Sequence, residues 1–259
     1  MLLDVIPEVM AVVLAVGLSL LGLFVVRRYV SLDLLREHHD VASACFAVVG
    51  GLYGIVLAFV LVSSWTRFEE ARGKAEAEAN ALADLYRHTH ALPEPSHTRL
   101  AQQTVDYARA AIDKEWPMMN LGRSSAEAAE IYSSIWNTVL DLPAEDGKQV
   151  ALFQNTLSKM DDFADGRRGR LLYARVGLPE IVWIFLIGTG VVTVAFSYFF
   201  GMRLFLPQAL MTIALSGTIA VTLLLISEMQ TPFSGSVRVP PYGFHYFLHT
   251  LNLEPEPEQ

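Results

Sequence analysis

Charge is what this 259-residue sequence lacks, and the shortage is local. Asp, Glu, Lys and Arg make up 18% of it against 53% hydrophobic residues, and mean hydropathy is +0.36. Val9–Val26, Val41–Thr66, Ile181–Met202 and Leu204–Ser227 contain none of the four. A bilayer core of about 30 Å is crossed by roughly 20 apolar residues in a helix. Each run therefore reads as a transmembrane helix. A soluble protein with four such core helices is the poorer reading, because soluble helices need a polar face.

Other absences narrow the function. The single cysteine, Cys45, has no partner for an internal disulfide and sits inside the second run, where it acts as a small hydrophobe. No basic segment precedes the first run, only Asp4 and Glu8, so it reads as a retained membrane helix and not as a signal peptide. A net charge of −8, with no basic patch among exposed aromatics, argues against a nucleic-acid partner. Sustained period-two alternation, Asn-Gly hairpin turns and internal repeats are missing too. So are the P-loop, Gly-x-Gly-x-x-Gly, His-Glu-x-x-His and Cys-x-x-Cys. Glu69/Glu70 and Asp161/Asp162 are sequence neighbours, splayed about 100° apart on a helix, and read as solvated faces rather than acid pairs. The histidines come as His38-His39, His88/His90 and His245/His249. Only the last spacing puts two rings on one helix face, and no Cys or acidic residue completes a metal site there. Neither enzyme activity, cofactor nor metal is expected. The aromatics around these histidines (Tyr242, Phe244, Tyr246, Phe247) read as a helix on the membrane surface.

What is present is a layout. Residues 1–66 hold transmembrane helices 1 and 2. Residues 67–178 form a helical domain whose first helix continues the second span. Residues 179–228 hold helices 3 and 4, and 229–259 form a C-terminal segment with a disordered acidic tail, Glu254-Pro-Glu256-Pro-Glu258. No proline interrupts the chain from Val41 to Ala91, a single helix of about 75 Å at about 1.5 Å per residue. Along its outer half Phe68, Ala71, Ala75, Ala79, Leu82 and Tyr86 make a seam for a neighbouring helix. Ser96 is placed to cap the next helix, which stops before Pro117. Ser124-Ser-Ala-Glu127 resembles a capping box, and a last helix spans about Glu145–Arg170. Arg67, Arg72, Lys74, Arg167, Arg168, Arg170 and Arg175 flank the spans on the side of the central domain, against Arg27, Arg28, Arg36 and Arg203 on the other. The positive-inside rule then puts the N-terminus, central domain and C-terminus in the cytoplasm.

Three clusters are candidate functional residues. Arg167, Arg168, Arg170 and Arg175 form a basic rim before the third span, to be read as lipid-headgroup contact or, in a ring of subunits, as a cationic lining for an anion path. Gly50, Gly54 and Ala58, with Ala47 and Gly51, give the second span a small-residue face that suits close helix packing or an open pore. Glu228 ends the fourth span at the unfavourable end of the helix dipole and calls for a partner.

Gly51-Leu-Tyr-Gly-Ile-Val-Leu-Ala-Phe-Val60, Ser64-Trp-Thr-Arg-Phe-Glu69, Glu78-Ala-Asn-Ala-Leu-Ala-Asp-Leu-Tyr-Arg87 and Pro232-Phe-Ser-Gly-Ser-Val-Arg-Val239 resemble the bestrophin-like membrane family of unknown function. That family is distantly similar to the bestrophin anion channels. Trp65-Thr-Arg-Phe68-Glu69 matches the motif that follows their pore helix, and Gly190–Phe200 resembles their third span. The resemblance implies an all-α membrane fold, a pentameric ring, and a neck at Ala47, Gly51 and Ile55. Here the chain departs from the channels, whose necks are bulky and apolar, since two of these three residues are small. It departs again after Thr231-Pro-Phe, where Ser-Gly-Ser-Val-Arg replaces an acidic run, so no calcium site is implied. The expectation is an oligomeric ion channel in the lipid bilayer, passing inorganic anions such as chloride. The alternative is a non-conducting membrane scaffold or sensor coupling the bilayer to cytoplasmic partners.

Overall fold

The computed structural model of the protein describes residues 2–31 and 39–255. The expectations placed on Arg36, on His38 and on the tail beyond Pro255 lie outside the described residues. Every regular element among those described is helical: α1 (Leu2–Tyr29), α2 (His39–Thr89), α3 (Ser96–Ala110), a π turn (Ala111–Glu115), α4 (Trp116–Met119), α5 (Ala126–Leu140), α6 (Gly147–Arg175), α7 (Glu180–Ser197) with a 3₁₀ turn (Tyr198–Phe200), α8 (Phe205–Gln230) and α9 (Tyr242–Thr250). Four are long and apolar enough to cross a membrane: Ile6–Tyr29, Val41–Thr89, Glu180–Phe200 and Phe205–Gln230. The fold is all-α and multi-pass, with a large helical region between the second and third spans.

Two compact units result, Met1–Thr66 with Leu178–Gln230, and Arg67–Gly177 with Thr231–Gln259. Helix α2, 51 residues long, belongs to both and carries no break at Thr66.

In the first unit α1 packs along α8, and α7 packs on both. Large apolar side chains such as Val13, Leu18, Phe59, Ile184 and Leu210 are exposed, as a lipid-facing surface requires. The interior is small and sewn with polar bonds. Leu23, Val194, Tyr198 and Ala209 form one cluster, and Tyr53, Leu57, Leu186 and Ile226 another. Tyr198 Oη donates to Ser19 O at 2.8 Å, and Gln208 Nε2 to Tyr198 O at 3.1 Å. Arg27 Nη1 donates to Gln208 Oε1 at 2.9 Å. In hydrocarbon such backbone and side-chain groups must be satisfied within the protein. Gly201, at φ 52°, takes the left-handed conformation that turns the chain from α7 into α8.

The second unit has a conventional core. The α2 seam is there: Ala71, Ala75, Ala79 and Leu82 are buried, and Phe68 and Tyr86 pack against them. Leu85, Leu100, Tyr107, Ile135, Met160 and Phe163 are wholly inside, each such side chain contributing about 1.5–3 kcal/mol. Helix boundaries differ in detail from those expected. Ser125, not Ser124, caps α5, its Oγ accepting from Ala128 N at 3.4 Å. Ser96 caps nothing, since Pro95 holds the cap position of α3. The chain also does not stop before Pro117. It passes without a break through the π turn into α4, and Pro117 follows directly on that widened turn. Helix α6 runs on to Arg175. The largest difference is α9, expected on a membrane surface. Its Phe244, Phe247 and Leu248 are core residues, Phe244 lying edge-on to Trp116 at 5.7 Å and Phe247 to Tyr86 at 5.7 Å. Tyr246 alone of its aromatics is exposed.

Candidate functional site

The first half of α2 has one keyed face and one open face. On the keyed face Tyr53 is buried and its Oη donates to Leu186 O of α7 at 3.0 Å. Gly190 makes this fit possible, because a Cβ there would stand 2.7 Å from the Tyr53 Oη. A Cβ on Gly50 would meet Thr193 of the same helix at 3.8 Å. Leu57, one turn beyond Tyr53, completes the contact. These fix the rotation of α2 about its own axis.

The opposite face is therefore turned away from the other described residues of the unit. Ala47, Gly51 and Ile55 are all exposed on it. A Cβ on Gly51 or on Gly54 would meet nothing within 4 Å. Val48, Leu52, Phe59 and Val62 border the strip and are more than half exposed. Of the three residues expected to pack helices, Gly50 lies beside Thr193 of α7, whereas Gly54 and Ala58 are exposed on the open face. The strip is apolar throughout, and its narrow side chains are Ala47, Gly51, Gly54 and Ala58.

In the second unit the basic rim is not a rim. Arg167 and Arg170 are buried, Arg170 completely. Their guanidiniums meet two carboxylates that the sequence did not single out, Glu78 of α2 and Glu115 of the π turn, both fully buried. Arg170 Nη2 donates to Glu78 Oε1 at 2.9 Å and to Glu115 Oε2 at 2.6 Å. Arg167 Nη2 donates to Glu115 Oε1 at 2.7 Å, and its Nη1 to Tyr107 Oη at 2.7 Å. Tyr107 Oη in turn donates to Glu78 Oε1. Trp116 lies beneath the Arg170 guanidinium at 4.7 Å, and Tyr132 beside that of Arg167 at 5.1 Å.

The charges cancel, and every acid has a donor. Burial on its own would lower the Arg170 guanidinium, but the Glu78 carboxylate, with help from Glu115, raises it well above its ordinary value. Burial pushes the Tyr107 phenol well up, and the Glu78 charge adds to that. A neutral, fully bonded cluster of this kind fixes one arrangement of α2, α3, the π turn and α6, rather than attracting anions. Arg168 and Arg175 stay on the surface, Arg168 beside Asp165 and Arg175 donating to Ser124 Oγ at 3.0 Å.

Among the described residues no three His, Cys, Asp or Glu side chains come together as metal ligands would. His245 Nδ1 lies 2.7 Å from Glu254 Oε2, and His249 Nδ1 lies 3.2 Å from Glu254 O, so this pair serves the C-terminal end of α9.

Comparison with known proteins adds a family and a fold. The Bestrophin-like domain model matches residues 13–244. No curated protein matches the chain. A solved bacterial bestrophin homologue from Klebsiella pneumoniae is similar at a TM-score of 0.69 and 17% identity, covering 95% of this chain and 99% of that one. A point variant of it gives a TM-score of 0.71 at 17% identity, covering 93% and 99%. A structure described as a membrane protein, also a point variant, gives 0.69 at 18% identity, covering 95% and 97%.

Proposed function

Because the chain belongs to the bestrophin-like family, we propose that it is an oligomeric ion channel whose pore is lined by the first half of α2. Copies of the chain surround an axis, five by family resemblance, with Ala47, Gly51 and Ile55 facing inward. Inorganic anions such as chloride pass passively. The observation that carries this reading is the open face of α2. Tyr53 and Gly50 turn α2 so that one apolar strip of small residues is left without a partner among the described residues. A strip of that kind, repeated around an axis, leaves a gap between the helices whose narrowest ring is set by Ile55, the bulkiest of the three. Hydrophobic rings gate ion flow by dewetting.

The arginine distribution supports a cytoplasmic side for residues 67–178 and both termini in this reading. On that side Arg168 and Arg175 are the members of the four-arginine group left available to lipid headgroups or passing anions.

Purified protein in planar bilayers, under a chloride gradient, is the test. Currents reversing near the chloride potential support the reading. A closed ring in detergent that carries no current above background refutes it.

One observation favours the non-conducting scaffold instead. Gly51 and Gly54 carry no side chain on the open face, so α2 helices of neighbouring copies can approach closely and fill the axis. A density map with no axial passage would decide for it.

A further inference from the structure

The second unit holds a cavity of about 470 Å³ that borders the ion cluster through Trp116 and Phe244 but includes none of its charged groups. One wall is the α2 turn carrying Phe68, Arg72 and Glu76, and the other is the segment from Arg238 to Tyr242 that leads into α9. Trp116 also lines it. Its size falls within the range of about 300–1,000 Å³ typical of small-molecule sites.

The walls are held before any ligand arrives. Trp116 Nε1 donates to Val239 O at 2.9 Å, and Val239 N donates to Pro232 O at 2.7 Å. Pro240 and Pro241 stiffen the segment between Val239 and α9 and present no N–H to the cavity. The lining is mostly apolar, with aromatic rings from Phe68, Trp116 and Tyr242. Its charged groups are unequal. Arg72 Nε donates to Glu76 Oε1 at 3.0 Å, so those two charges offset one another. Arg238 is exposed and has no carboxylate partner among the described residues.

From this we infer that the cavity binds a small amphipathic anion, an aromatic or branched carboxylate, with its apolar body between Phe68, Trp116 and Tyr242 and its carboxylate on the Arg238 guanidinium. A neutral ligand of the same shape would gain the apolar contacts but leave the guanidinium unused. A cation would meet a site with one net positive charge. Arg238 presents a planar fork that matches a carboxylate in two hydrogen bonds. The site is independent of whether the protein conducts, since its walls and charge lie wholly within the second unit.

Calorimetric titration of the full-length protein in micelles with 2-naphthoate, against protein-free micelles, tests this. Saturable binding is expected, about tenfold or more weaker for 2-naphthylmethanol and for the Arg238→Gln variant. Arg238 is a surface residue, so the variant should fold as the parent does. Arg238→Glu should lose naphthoate and gain 2-naphthylmethylammonium. No saturable naphthoate binding would overturn the proposal. So would equal binding of acid and alcohol, or binding indifferent to both substitutions.

Discussion

Glu78 and Arg170 meet with neither side chain reached by solvent, across 92 positions of sequence. The pair joins α2 to α6, and Glu115 extends it to the π turn. Removing one member leaves the other charged and buried, which costs about 3–5 kcal/mol. Arg170→Met should therefore lower stability by about that amount, with Glu78→Gln milder because the amide keeps its shape and an acceptor. Adding Glu78→Met to Arg170→Met should cost much less than the sum of the singles. Chemical denaturation followed by far-UV circular dichroism reads this out. Additive losses would mean that the pair is not coupled.

Tyr107 predicts a pH dependence on the alkaline side. Its folded value lies well above ordinary, through burial first and the Glu78 charge next. An unfolded tyrosine ionises near pH 10. Below that both states hold the proton, and the contribution is complete. Above it the unfolded chain releases a proton that the folded chain retains, so stability falls as pH rises towards the folded value. Tyr107→Phe should be less stable near neutral pH by about 1–3 kcal/mol, since Arg167 and Glu78 each lose a partner. Its further decline above pH ~10 should be shallower than the parent's. Unfolding midpoints collected from neutral to alkaline pH check both.

The membrane spans were legible because lack of charge over some 20 residues has few other physical causes. The α2 seam was legible because packing against a neighbour imposes spacings of three and four. The ion cluster was not, because its partners come from four separate elements. Arg167 and Arg170 look in sequence like any basic flank of a membrane helix. Two signals were available. Glu78 falls in the buried row Ala71, Ala75, Leu82, Leu85, where a carboxylate is out of place unless paired. Gly166 and Gly169 flank the arginines on a helix, where glycine is otherwise unfavourable. The π turn leaves no mark in the residues 111–115, so the inward aim of Glu115 was beyond reading. Helix α9 misled for a related reason, as its aromatic face suits a membrane surface as well as the core formed by Trp116, Tyr86 and Tyr107.

Those two glycines separate two kinds of close approach. A Cβ on Gly166 would stand 2.7 Å from the Glu78 backbone, and one on Gly169 would stand 2.7 Å from Lys74 Cδ. Backbone on a long helix cannot move without moving the helix, whereas a lysine side chain can swing aside. Gly166→Ala should destabilise by about 1–3 kcal/mol despite the gain in helix propensity. Gly169→Ala should be neutral or stabilising by up to about 1 kcal/mol. Thermal melts of the two variants side by side suffice, and equal losses would mean that the Glu78 backbone is no stiffer a neighbour than the Lys74 side chain.

The open face of α2 gives the prediction on which the channel reading rests most directly. Gly51 has open space where a side chain would begin, so Gly51→Leu should fold and assemble as the parent does. If that space is an axis shared by several copies, each ring then gains as many isobutyl groups as there are subunits, and current should fall several-fold. Ile55→Thr acts in the opposite sense. It keeps the branched shape, replaces a methylene-bearing arm by a hydroxyl, and makes the ring easier to wet, so current should rise. Leu57→Thr lies two positions away but points into the contact with α7 and α8. It should reduce stability and leave the current per assembled channel unchanged. Single-channel recordings at equal protein load distinguish these outcomes. A current insensitive to residues 51 and 55 but altered at 57 would put the conducting path, if there is one, on a different face of the helix.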